Sequence, residues 1–403
     1  MLEGLKIAVY VSGGIAAYKI PDFVRSLIKA GAQVRVAMTP AAEQFVTPFT
    51  FEVLTKYPVL RDQSTYPDPV GHIHLADWLD LAILVPATAN SLGKLVHGIA
   101  DNEALTSLLA CNRPCLIVPA MNNKMWDHPA TQRNIEQLRQ DGYYVLDPAK
   151  GFLAEGYEGK GRMPEGQEIL QAVMALATIS QQNQRLDLTG QKIVISAGGT
   201  QEAIDPVRYI SNHSSGKMGL AIAHVSALAG AQVTLVRTPS ARNLAVIPEI
   251  HLIDVEDARQ LQTAMTEEVQ EADMVVMAAA VSDYRPAQVA DQKIKKDKSQ
   301  ASNDWHLHLV ENPDILAGLP KNRALVIGFA AETQDVEKNA TAKLVRKGAD
   351  MIVANDVSRA DIGFGTDQNA VTLVTHQDKR RLAKASKFQI AWAILDMAQG
   401  IQK

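Results

Sequence analysis

Cysteine is nearly absent from this chain, since only Cys111 and Cys115 occur among its 403 residues. Two thiols within CNRPC cannot form a disulfide framework, and a zinc site would need further cysteine or histidine ligands at suitable spacing. We therefore expect neither a disulfide scaffold nor a cysteine-based metal centre. Both thiols are predicted to serve as small apolar residues that lead into the strand CLIVPA.

An excess of positive charge and long apolar runs are missing as well. The 40 lysines and arginines are balanced by 44 aspartates and glutamates, with a net charge of -4, so we expect no nucleic acid partner. No run approaches the roughly 20 apolar residues that cross a bilayer, and MLEGLKIAVY lacks the pattern of a signal peptide. Together with 47% hydrophobic and 21% charged residues, these features predict a soluble cytoplasmic protein without a membrane partner.

Internal similarity divides the chain into two parts. LEGLKI at residues 2–7 is answered by LTGQKI at 188–193, and AGAQV occurs at both 30–34 and 229–233. Each copy opens with a strand, a turn, a helix and a second strand, which is typical of a βαβ unit. The sequence thus predicts an α/β protein with two Rossmann-like domains, 1–186 and 187–403, each a mainly parallel sheet with flanking helices.

The dinucleotide fingerprint GxGxxG is absent from both predicted domains. The first strand instead ends in SGGIAAYK, where Ser12, Gly13 and Gly14 stand at the predicted start of a helix. Such a turn suits one phosphate group, which favours a mononucleotide such as FMN over NAD. A tight connection without a ligand is the alternative.

Two later strands have matching ends. LAILVPATAN (81–90) and CLIVPAMN (115–122) are apolar runs that finish in Pro-Ala and small polar residues. Because the carboxyl ends of parallel strands line the ligand crevice, we expect Thr88, Asn90 and Asn122 to meet over the SGG turn.

Two further stretches of the first half carry polar groups of interest. In GHIHLADW, His72 and His74 would share one face of a strand as metal ligands, but no third ligand stands nearby, and a surface or capping role is favoured for His74. Residues 151–163, GFLAEGYEGKGRM, contain four glycines among polar residues. This composition predicts a mobile flap that closes a site, with a linker as the alternative.

Residues 192–219 run from a buried strand into a polar loop that is much longer than an ordinary strand-to-helix connection. The loop carries Asp205, Arg208 and Asn212, and a helical pattern begins only after Gly216. Structureless loops of this length are usually functional, so we predict a substrate-binding loop. Its end, 214–216, is expected at a helix N-terminus that favours an anion, and a capping Ser-Ser pair is the alternative.

Basic residues gather in the second half. A buried strand in ADMVVMAAAVSDYRPA runs into Asp283, KIKKDK follows at 293–298, and a helix places Lys343 and Lys347 one turn apart. Lysines from a loop and a helix at the mouth of a sheet suit a triphosphate. A charge run is more often a solvated surface, and Lys295, Lys296 and Lys298 keep that interpretation.

Together these motifs are specific. SGGIAAYK, GHIHLADW, PATAN, PAMNNKMW, GKGRM, AGGTQEAIDPVRYISNHSSGKMG, AAAVSDYRPA, KIKK, NPDIL, GFAAET and ANDVS occur in this order. Over essentially the whole chain they resemble the bifunctional phosphopantothenoylcysteine decarboxylase / phosphopantothenate-cysteine ligase of coenzyme A synthesis. The resemblance implies that cysteine is joined to 4'-phosphopantothenate and that the product is then decarboxylated to 4'-phosphopantetheine.

For the first domain, the resemblance implies a flavoprotein decarboxylase. Loss of carbon dioxide from a cysteine carboxyl would leave an unstabilised carbanion, so FMN is implied to take up electrons and to return them afterwards. His72 would act as acid/base and Asn122 would hold the substrate carboxylate. The residues implied to contact FMN are Ser12, Gly13, Gly14, Thr39, Thr88, Asn90 and Met121. Some members carry a proton-donating cysteine in the flap where this chain has Glu155, so the proton donor stays unassigned.

For the second domain, the resemblance implies a ligase that activates the carboxylate with CTP as an acyl-cytidylate, with Mg²⁺ as the counter-ion of the triphosphate. Asn212 would stabilise this intermediate, assisted by Arg208 and Lys293, and Asp283 would bind the metal or the ribose. The residues implied to bind CTP are Met277, Ala278, Ala279, Asp283, Lys293, Pro313, Asp314, Ile315, Leu316, Phe329, Lys343 and Lys347.

The implied partners are the small molecules 4'-phosphopantothenate, cysteine and CTP, and further copies of the chain. The family suggests a trimer-based decarboxylase and a dimeric ligase, with sites that two chains can share. A nicotinamide oxidoreductase is an alternative that the missing GxGxxG and the lack of an acidic residue placed for a ribose disfavour. A non-catalytic nucleotide-sensing or flavin-storage protein on the same folds is another. The choice between CTP and ATP, passage of the intermediate between domains and the role of Glu155 stay open.

Overall fold

The computed structural model describes residues 2–62, 68–182, 184, 186–295, 305–320, 324–332, 334–356 and 365–401. The predicted roles of Lys296 and Lys298, and the end of the ANDVS motif, lie outside these ranges. The chain forms two compact units, of which unit 1 comprises residues 1–182 with 245–249 and unit 2 comprises residues 183–244 and 250–403.

Unit 1 contains seven strands and eight α-helices within its described residues. The strands are β1 (Lys6–Val11), β2 (Gln33–Met38), β3 (Leu81–Ala87), β4 (Cys115–Pro119), β5 (Tyr144–Val145), β6 (Ala149–Phe152) and β7 (Glu158–Arg162). The helices are α1 (Ile20–Lys29), α2 (Pro48–Thr55), α3 (Gly71–Trp78), α4 (Ala89–Val96), α5 (Glu103–Leu109), α6 (Asn123–Trp126), α7 (Pro129–Gln140) and α8 (Gly166–Ser180).

The main sheet of unit 1 is parallel throughout, in the order β2-β1-β3-β4-β5. Every residue of β3 is buried, as expected for a strand that helices cover on both faces. On one side Tyr10 and Leu84 pack with Leu92 of α4 and Ile135 of α7. The predicted parallel α/β architecture is therefore confirmed.

One local prediction for unit 1 was wrong. GHIHLADW forms the helix α3 and not a strand, because Asp68 binds the amide of Val70 ahead of it and Leu75 can then be buried. Residues two apart on a helix lie roughly 200° apart, so His72 and His74 do not share a face. The SGG turn stands at the start of a helix, as predicted: Gly14 is the N-cap of a short 3₁₀ helix, Ile15–Lys19, and α1 follows it directly.

Unit 2 contains twelve strands and five α-helices within its described residues. The strands are β8 (Lys192–Ala197), β9 (Gln201–Asp205), β10 (Arg208–Ser211), β11 (Gln232–Arg237), β12 (His251–Asp254), β13 (Met274–Met277), β14 (Tyr284–Pro286), β15 (Leu309–Glu311), β16 (Leu325–Glu332), β17 (Met351–Asp356), β18 (Gln368–Thr375) and β19 (Lys379–Ser386). The helices are α9 (Lys217–Leu228), α10 (Ala258–Glu268), α11 (Ile315–Gly318), α12 (Val336–Lys347) and α13 (Lys387–Gln399).

The large sheet of unit 2 has the order β12-β11-β8-β13-β16-β17-β18-β19. The first six strands are parallel, and β18 and β19 continue the sheet as an antiparallel hairpin. Helix α9 packs closely on β8: a Cβ on Gly219 would lie 2.7 Å from the Cβ of Ala197. Glycine at this position therefore allows the helix to follow the strand at short range.

The long polar loop at residues 192–219 is not structureless, contrary to our prediction. It folds into the hairpin β9–β10, because the carboxylate of Asp205 accepts hydrogen bonds from the amides of Val207 and Arg208 and so closes the turn. The hairpin lies beside the pair β14–β15, and the amide of Ala290 donates to the carbonyl of Ile204 at 3.0 Å.

Among the described residues of both units, no helix combines the length and the apolar character needed to span a membrane.

Candidate active sites

A cavity of about 960 Å³ opens in unit 1 at the carboxyl ends of β1, β3 and β4. The strand ends bring together most of the residues that the sequence predicts for the first site. Those that line the cavity are Gly13, Gly14, Thr39, Thr88, Asn90, Met121 and Asn122. Ser12 is buried directly behind this wall, where its hydroxyl donates to the carbonyl of Pro86 at 2.6 Å and accepts from the amide of Thr88 at 3.1 Å.

Some polar side chains of this wall are held by hydrogen bonds within the protein, whereas the hydroxyl of Thr39 is not. Thr88 caps α4 by accepting a hydrogen bond from the amide of Ser91 at 3.3 Å. The hydroxyl of Thr39 is buried on the wall and has no partner among the described residues. A buried hydroxyl without a partner is costly, so a polar group of a ligand would satisfy it. The remaining wall includes the apolar side chains of Ile15, Leu105, Met125, Phe152 and Met163, which suit a planar ring system.

Asn122 is oriented by two hydrogen bonds. Its Oδ1 accepts from the amide of Lys124 at 2.9 Å, and its Nδ2 donates to the hydroxyl of Tyr157 at 2.7 Å. An amide nitrogen has two hydrogens, so one N–H of Asn122 is left for a ligand in the cavity. The side chain is thus fixed for donating to an acceptor such as a carboxylate.

The predicted flap is a hairpin, β6–β7, which packs against the Asn122 loop. The amide of Met121 donates to the carbonyl of Gly161 at 2.9 Å. Gly161 has a φ of +153°, and a Cβ there would lie 2.2 Å from the carbonyl oxygen of Met121, so glycine is required. The adjacent Lys160 pairs with Asp147 at 2.5 Å. Glu155, at the tip of the hairpin, lines the cavity.

His72 does not line the cavity of its own unit. It lies on α3, where its Nδ1 is 3.2 Å from Oε2 of Glu103 at the start of α5. Within a single copy of the chain, His72 therefore does not reach the cavity that Asn122 lines. His74 is exposed and pairs with Asp68 at 2.6 Å.

A second cavity, of about 760 Å³, opens in unit 2 at the carboxyl ends of β13, β16 and β17. It collects nearly all of the residues predicted to bind the nucleotide. Those that line it are Met277, Ala278, Ala279, Asp283, Pro313, Asp314, Ile315, Leu316, Phe329, Lys343 and Lys347, and Asn212, predicted to stabilise the acyl-cytidylate, lines it as well. Among the described residues, no group of three or more histidines, cysteines and carboxylates is arranged as a preformed metal site.

Arg208 and Lys293 do not line this cavity. Arg208 pairs with the buried carboxylate of Asp205 and donates to the carbonyl of Ile294 at 2.9 Å. Asp205 in turn accepts from the amide of Ile294 at 3.1 Å, and Arg208 holds the pKa of this carboxyl well below its usual range. The ion pair therefore fixes the backbone next to Lys293, whose own side chain is exposed.

The two lysines of α12 are placed differently from Lys293. The Nζ of Lys343 donates to the carbonyl of Phe329 at 2.9 Å, and burial, followed by the charge of Lys347, lowers the pKa of Lys343. Lys347 forms an ion pair with Asp314. Both ammonium groups are thus held at the cavity wall by contacts with segments that also line it.

Sequence reasoning missed Asn312, which braces two cavity segments. Its side chain donates to the carbonyl of Ser282 at 2.9 Å, and its amide donates to the carbonyl of Asp283 at 2.8 Å. Asn312 directly precedes the segment 313–316, and its place in ENPDIL was the available signal. Asn212 makes a third contact of this kind, from its Nδ2 to the carbonyl of Val281 at 2.9 Å.

Other residues of the second cavity carried no clear signal in the sequence. The hydroxyl of Ser282 and the Oδ1 of Asn355 are buried at the cavity and have no partner among the described residues. Lys217 and Lys387, at the starts of α9 and α13, line it as well, and both bind the segment 365–368. Asn355 and the two lysines meet because β17 ends, and α9 and α13 begin, at the same edge of the sheet.

Comparison with known protein families first identifies the class of each part of the chain. A model described as Flavoprotein matches residues 1–178, and a model described as DNA/pantothenate metabolism flavoprotein C-terminal domain matches residues 188–401. The chain thus joins a flavoprotein unit to a second unit of pantothenate metabolism.

Relatives of full length then identify the family. The coenzyme A biosynthesis bifunctional protein CoaBC of Vibrio cholerae is 42% identical, over 98% of this chain and 98% of its own. The corresponding protein of Bacillus subtilis is 42% identical, over 100% of this chain and 98% of its own. The chain belongs to this CoaBC family, as its motifs predicted. A crystal structure of a CoaBC C-terminal domain is 38% identical and covers 53% of this chain and 95% of its own, with a TM-score of 0.44.

Proposed function

We propose that the chain joins cysteine to 4'-phosphopantothenate in residues 187–403 and decarboxylates the product in residues 1–186. As a CoaBC protein, it is a bifunctional enzyme of coenzyme A biosynthesis with phosphopantothenoylcysteine decarboxylase and phosphopantothenate-cysteine ligase activities. The assignment of one activity to each part is carried by one observation: each compact unit has its own large cavity at the carboxyl ends of parallel strands. We further propose that the enzyme acts in the cytoplasm, in keeping with its composition.

For the decarboxylase, the cavity of unit 1 fits FMN. The unpaired hydroxyl of Thr39 and the glycines of the SGG turn offer room and hydrogen bonds for polar groups of the cofactor, and the apolar wall accommodates a ring system. Bound FMN supplies the electron uptake that loss of carbon dioxide from a cysteine residue needs. The free N–H of Asn122 binds the substrate carboxylate, and Tyr157 and Lys124 keep that amide in place.

For the ligase, the cavity of unit 2 fits CTP. Lys343 and Lys347 hold the negative charge of the nucleotide, while the unpaired polar atoms of Ser282 and Asn355 are available for its hydrogen bonds. Asp283 supports Mg²⁺, which commonly uses one or two carboxylates together with substrate phosphates. Asn212 faces the same space and is placed to bind the acyl-cytidylate. Lys293, exposed and outside the cavity lining, adds a further positive charge for the triphosphate.

The experiment supplies phosphopantothenate, cysteine and CTP, and follows pyrophosphate and carbon dioxide separately. We expect Asn212→Ala or Lys293→Ala to stop pyrophosphate release while leaving decarboxylation of added phosphopantothenoylcysteine intact. His72→Ala should have the opposite effect, since it lies in the other unit. Equal damage to both activities by each substitution would contradict two independent sites. Replacing CTP by ATP in the same assay determines the nucleotide preference.

We also propose that unit 1 self-associates into trimers and that His72 of one copy serves the cavity of another. Three features support this proposal. His72 does not line its own cavity, the neighbouring Val70 and Ile73 are exposed, and the helix α2 exposes further apolar side chains. Exposed apolar groups of this kind mark interfaces more often than isolated surface residues do.

Mixing two inactive variants tests the shared site. The variants His72→Asn and Asn122→Leu, dissociated together and reassembled, should recover about a quarter of the wild-type decarboxylase activity. A shared site is intact only if one chain supplies the wild-type His72 and another supplies the wild-type Asn122, and about a quarter of randomly assembled sites meet both conditions. The separately reassembled variants are the controls and should stay inactive. Recovery no greater than in these controls would show that His72 does not act on a neighbouring copy.

For unit 2, we propose that the hairpin β9–β10 and the pair β14–β15 form the surface of a dimer. This surface exposes Val207, Tyr209, Tyr284 and Trp305, and the guanidinium of Arg208 lies over the Trp305 ring at 5.4 Å. Aromatic side chains and arginine are enriched in protein interfaces. A dimer through this surface would also place the Lys293 segment beside a second chain.

A further inference from the structure

We propose that Glu103 is a positioning residue for His72, which holds the imidazole with its proton on Nδ1 and its lone pair on Nε2. The inference rests on the proposed role of His72 as the acid/base of the decarboxylase. The inference adds Glu103 to the proposed site. Glu103 follows His72 by 31 positions, so the sequence offers no sign that the two side chains are in contact.

The contact joins two helices that pack against each other. Nδ1 of His72, on α3, lies 3.2 Å from Oε2 of Glu103, the first residue of α5. The side chains are partly sheltered, with 24% and 38% of their surfaces exposed. Partial shelter strengthens the contact relative to a fully solvated ion pair.

The backbone of Glu103 is held from both sides of the residue. Its amide donates to Oδ1 of Asp62 at 2.8 Å. The preceding Asn102 caps α5 by accepting a hydrogen bond from the amide of Leu105 at 3.0 Å. The carboxylate therefore projects from a fixed point and can hold an imidazole in one orientation.

The chemistry of the pair decides the tautomer. An ionised carboxylate only accepts hydrogen bonds, so a neutral imidazole that binds it through Nδ1 must carry its proton there. Nε2 then has a free lone pair, and no described residue contacts it through a hydrogen bond. A base oriented by a third group is an arrangement that favours proton transfer to or from a substrate.

The position of α5 also relates the pair to the reaction. Asp101, Asn102 and Leu105 line the cavity of unit 1, whereas Glu103, between them, contacts α3. The start of α5 thus forms part of the cavity wall and orients His72 with another side chain. Glu103 and His72 belong to the same chain. Glu103 can therefore orient His72 whether the substrate is bound by the same copy or by a neighbouring one.

The same helix offers a matched control. His74 also binds a carboxylate through Nδ1, at 2.6 Å from Oδ2 of Asp68, but it is exposed and has no proposed role. Asp68→Asn removes the charge of that pair and keeps Oδ1, which binds the amide of Val70. Glu103→Gln removes the charge of the first pair with little change in shape.

The test measures the tautomer of His72 and the two activities in the full-length protein loaded with flavin. Nitrogen-15 spectra of histidine-labelled protein report the tautomer, and the His72→Asn variant assigns the signal. We expect the proton of wild-type His72 on Nδ1 and a mixture of both tautomers in Glu103→Gln. The decarboxylase kcat should fall about tenfold, a part of what general acid–base catalysis contributes, with KM within about twofold. Ligase activity should not change, and Asp68→Asn should alter neither activity.

The outcomes separate the inference from the proposed function. An unchanged His72 tautomer in Glu103→Gln overturns the positioning role. A changed tautomer with unchanged kcat also overturns it, but leaves the proposed function intact provided that His72→Asn is inactive. Full decarboxylase activity of His72→Asn refutes the proposed role of the histidine and the inference with it. An equal loss of kcat in Asp68→Asn would assign the effect to α3 as a whole and not to Glu103.

Discussion

At the scale of single residues, Asn122 shows how two hydrogen bonds can orient a side chain and leave one N–H donor free, which we propose binds the substrate carboxylate. The amide of Lys124 occupies its oxygen and the hydroxyl of Tyr157 takes one of its two N–H groups. Only one donor is left, and Asn122 lines the cavity. The orientation of this donor depends on a flap residue that does not itself line the cavity.

Removal of that flap contact should weaken substrate binding. In Tyr157→Phe, Asn122 loses the acceptor of one N–H, so the amide is less well oriented; a neutral hydrogen bond of this kind is worth about 1 kcal/mol. We expect KM for phosphopantothenoylcysteine to rise about fivefold while kcat changes little, as measured by carbon dioxide release. Tyr144→Phe, on β5 of the same unit, is the control. A drop in kcat with unchanged KM would instead assign Tyr157 to the chemical step.

The sequence revealed residues whose role follows from their place in a motif, and missed those whose role follows from a distant contact. Gly13, Thr88 and Asn122 follow apolar strands directly, so their meeting could be predicted from the geometry of a parallel sheet. Glu103 and Asn312 act on residues that lie 31 and 30 positions away. No local pattern encodes such contacts.

At the scale of elements, helices α9 and α13 of unit 2 bury polar atoms that make no hydrogen bond to any described residue. His224 is fully buried, its ring is stacked at 6.2 Å on Phe388, and neither ring nitrogen has a partner among the described residues. Ser226 Oγ and Trp392 Nε1, on the same helices, are also buried without a partner there. Burial lowers the pKa of His224 to about 3, so the folded protein keeps this imidazole neutral.

The histidine should make unit 2 less stable in acid. Its pKa is lower in the folded state than in the unfolded state, where it is about 6.5. Only the unfolded chain takes up the proton as the pH falls from about 6.5 towards 3, so stability is lost over that range. Between pH 7.5 and pH 5 this loss should be about 2 kcal/mol in the free energy of unfolding.

Replacement by an apolar residue tests this effect. We expect His224→Leu to be more stable than wild type at pH 7.5, and its advantage in urea denaturation to grow by about 2 kcal/mol at pH 5. His251→Leu is the control, because His251 at the start of β12 is exposed to water in the folded state. An advantage of His224→Leu that does not depend on pH would contradict the explanation.

Elements with a long apolar run were predicted well, and short polar elements were not. The strands β3 and β4 have apolar runs that local composition alone makes clear. Helix α3 and the hairpin β9–β10 depend on side chains that close a turn, such as Asp68 and Asp205. Their formation is decided by hydrogen bonds that periodicity does not reveal.

At the scale of the whole molecule, helix α2 exposes apolar side chains that are a candidate interface between copies of the chain. Phe49 and Val53, one turn apart, have 71% and 47% of their surfaces exposed. We expect Phe49→Asp to shift the protein to smaller assemblies, because a charge would be buried against apolar groups at an interface. Light scattering after size-exclusion chromatography measures the mass. Leu109→Asp, at an exposed end of α5, is the control, and an unchanged mass of Phe49→Asp would exclude α2 from the interface.

The architecture of the whole molecule could be predicted because the internal similarity of its two halves is visible in the sequence. Whether each cavity contains all of the residues assigned to it could not be predicted from the sequence. His72 and Lys293 stand outside the cavities that they were predicted to serve, because a motif identifies a residue without fixing its distance from the other residues of a site.

The position of the two thiols has a practical consequence. Burial raises the pKa of both Cys111 and Cys115, and among the described residues neither cavity is lined by a cysteine. Alkylating reagents such as iodoacetamide attack thiolates, which these two residues rarely form. An enzyme whose substrate and product both carry a free thiol can therefore be stopped and its product captured with such a reagent, while its own side chains are left largely unmodified.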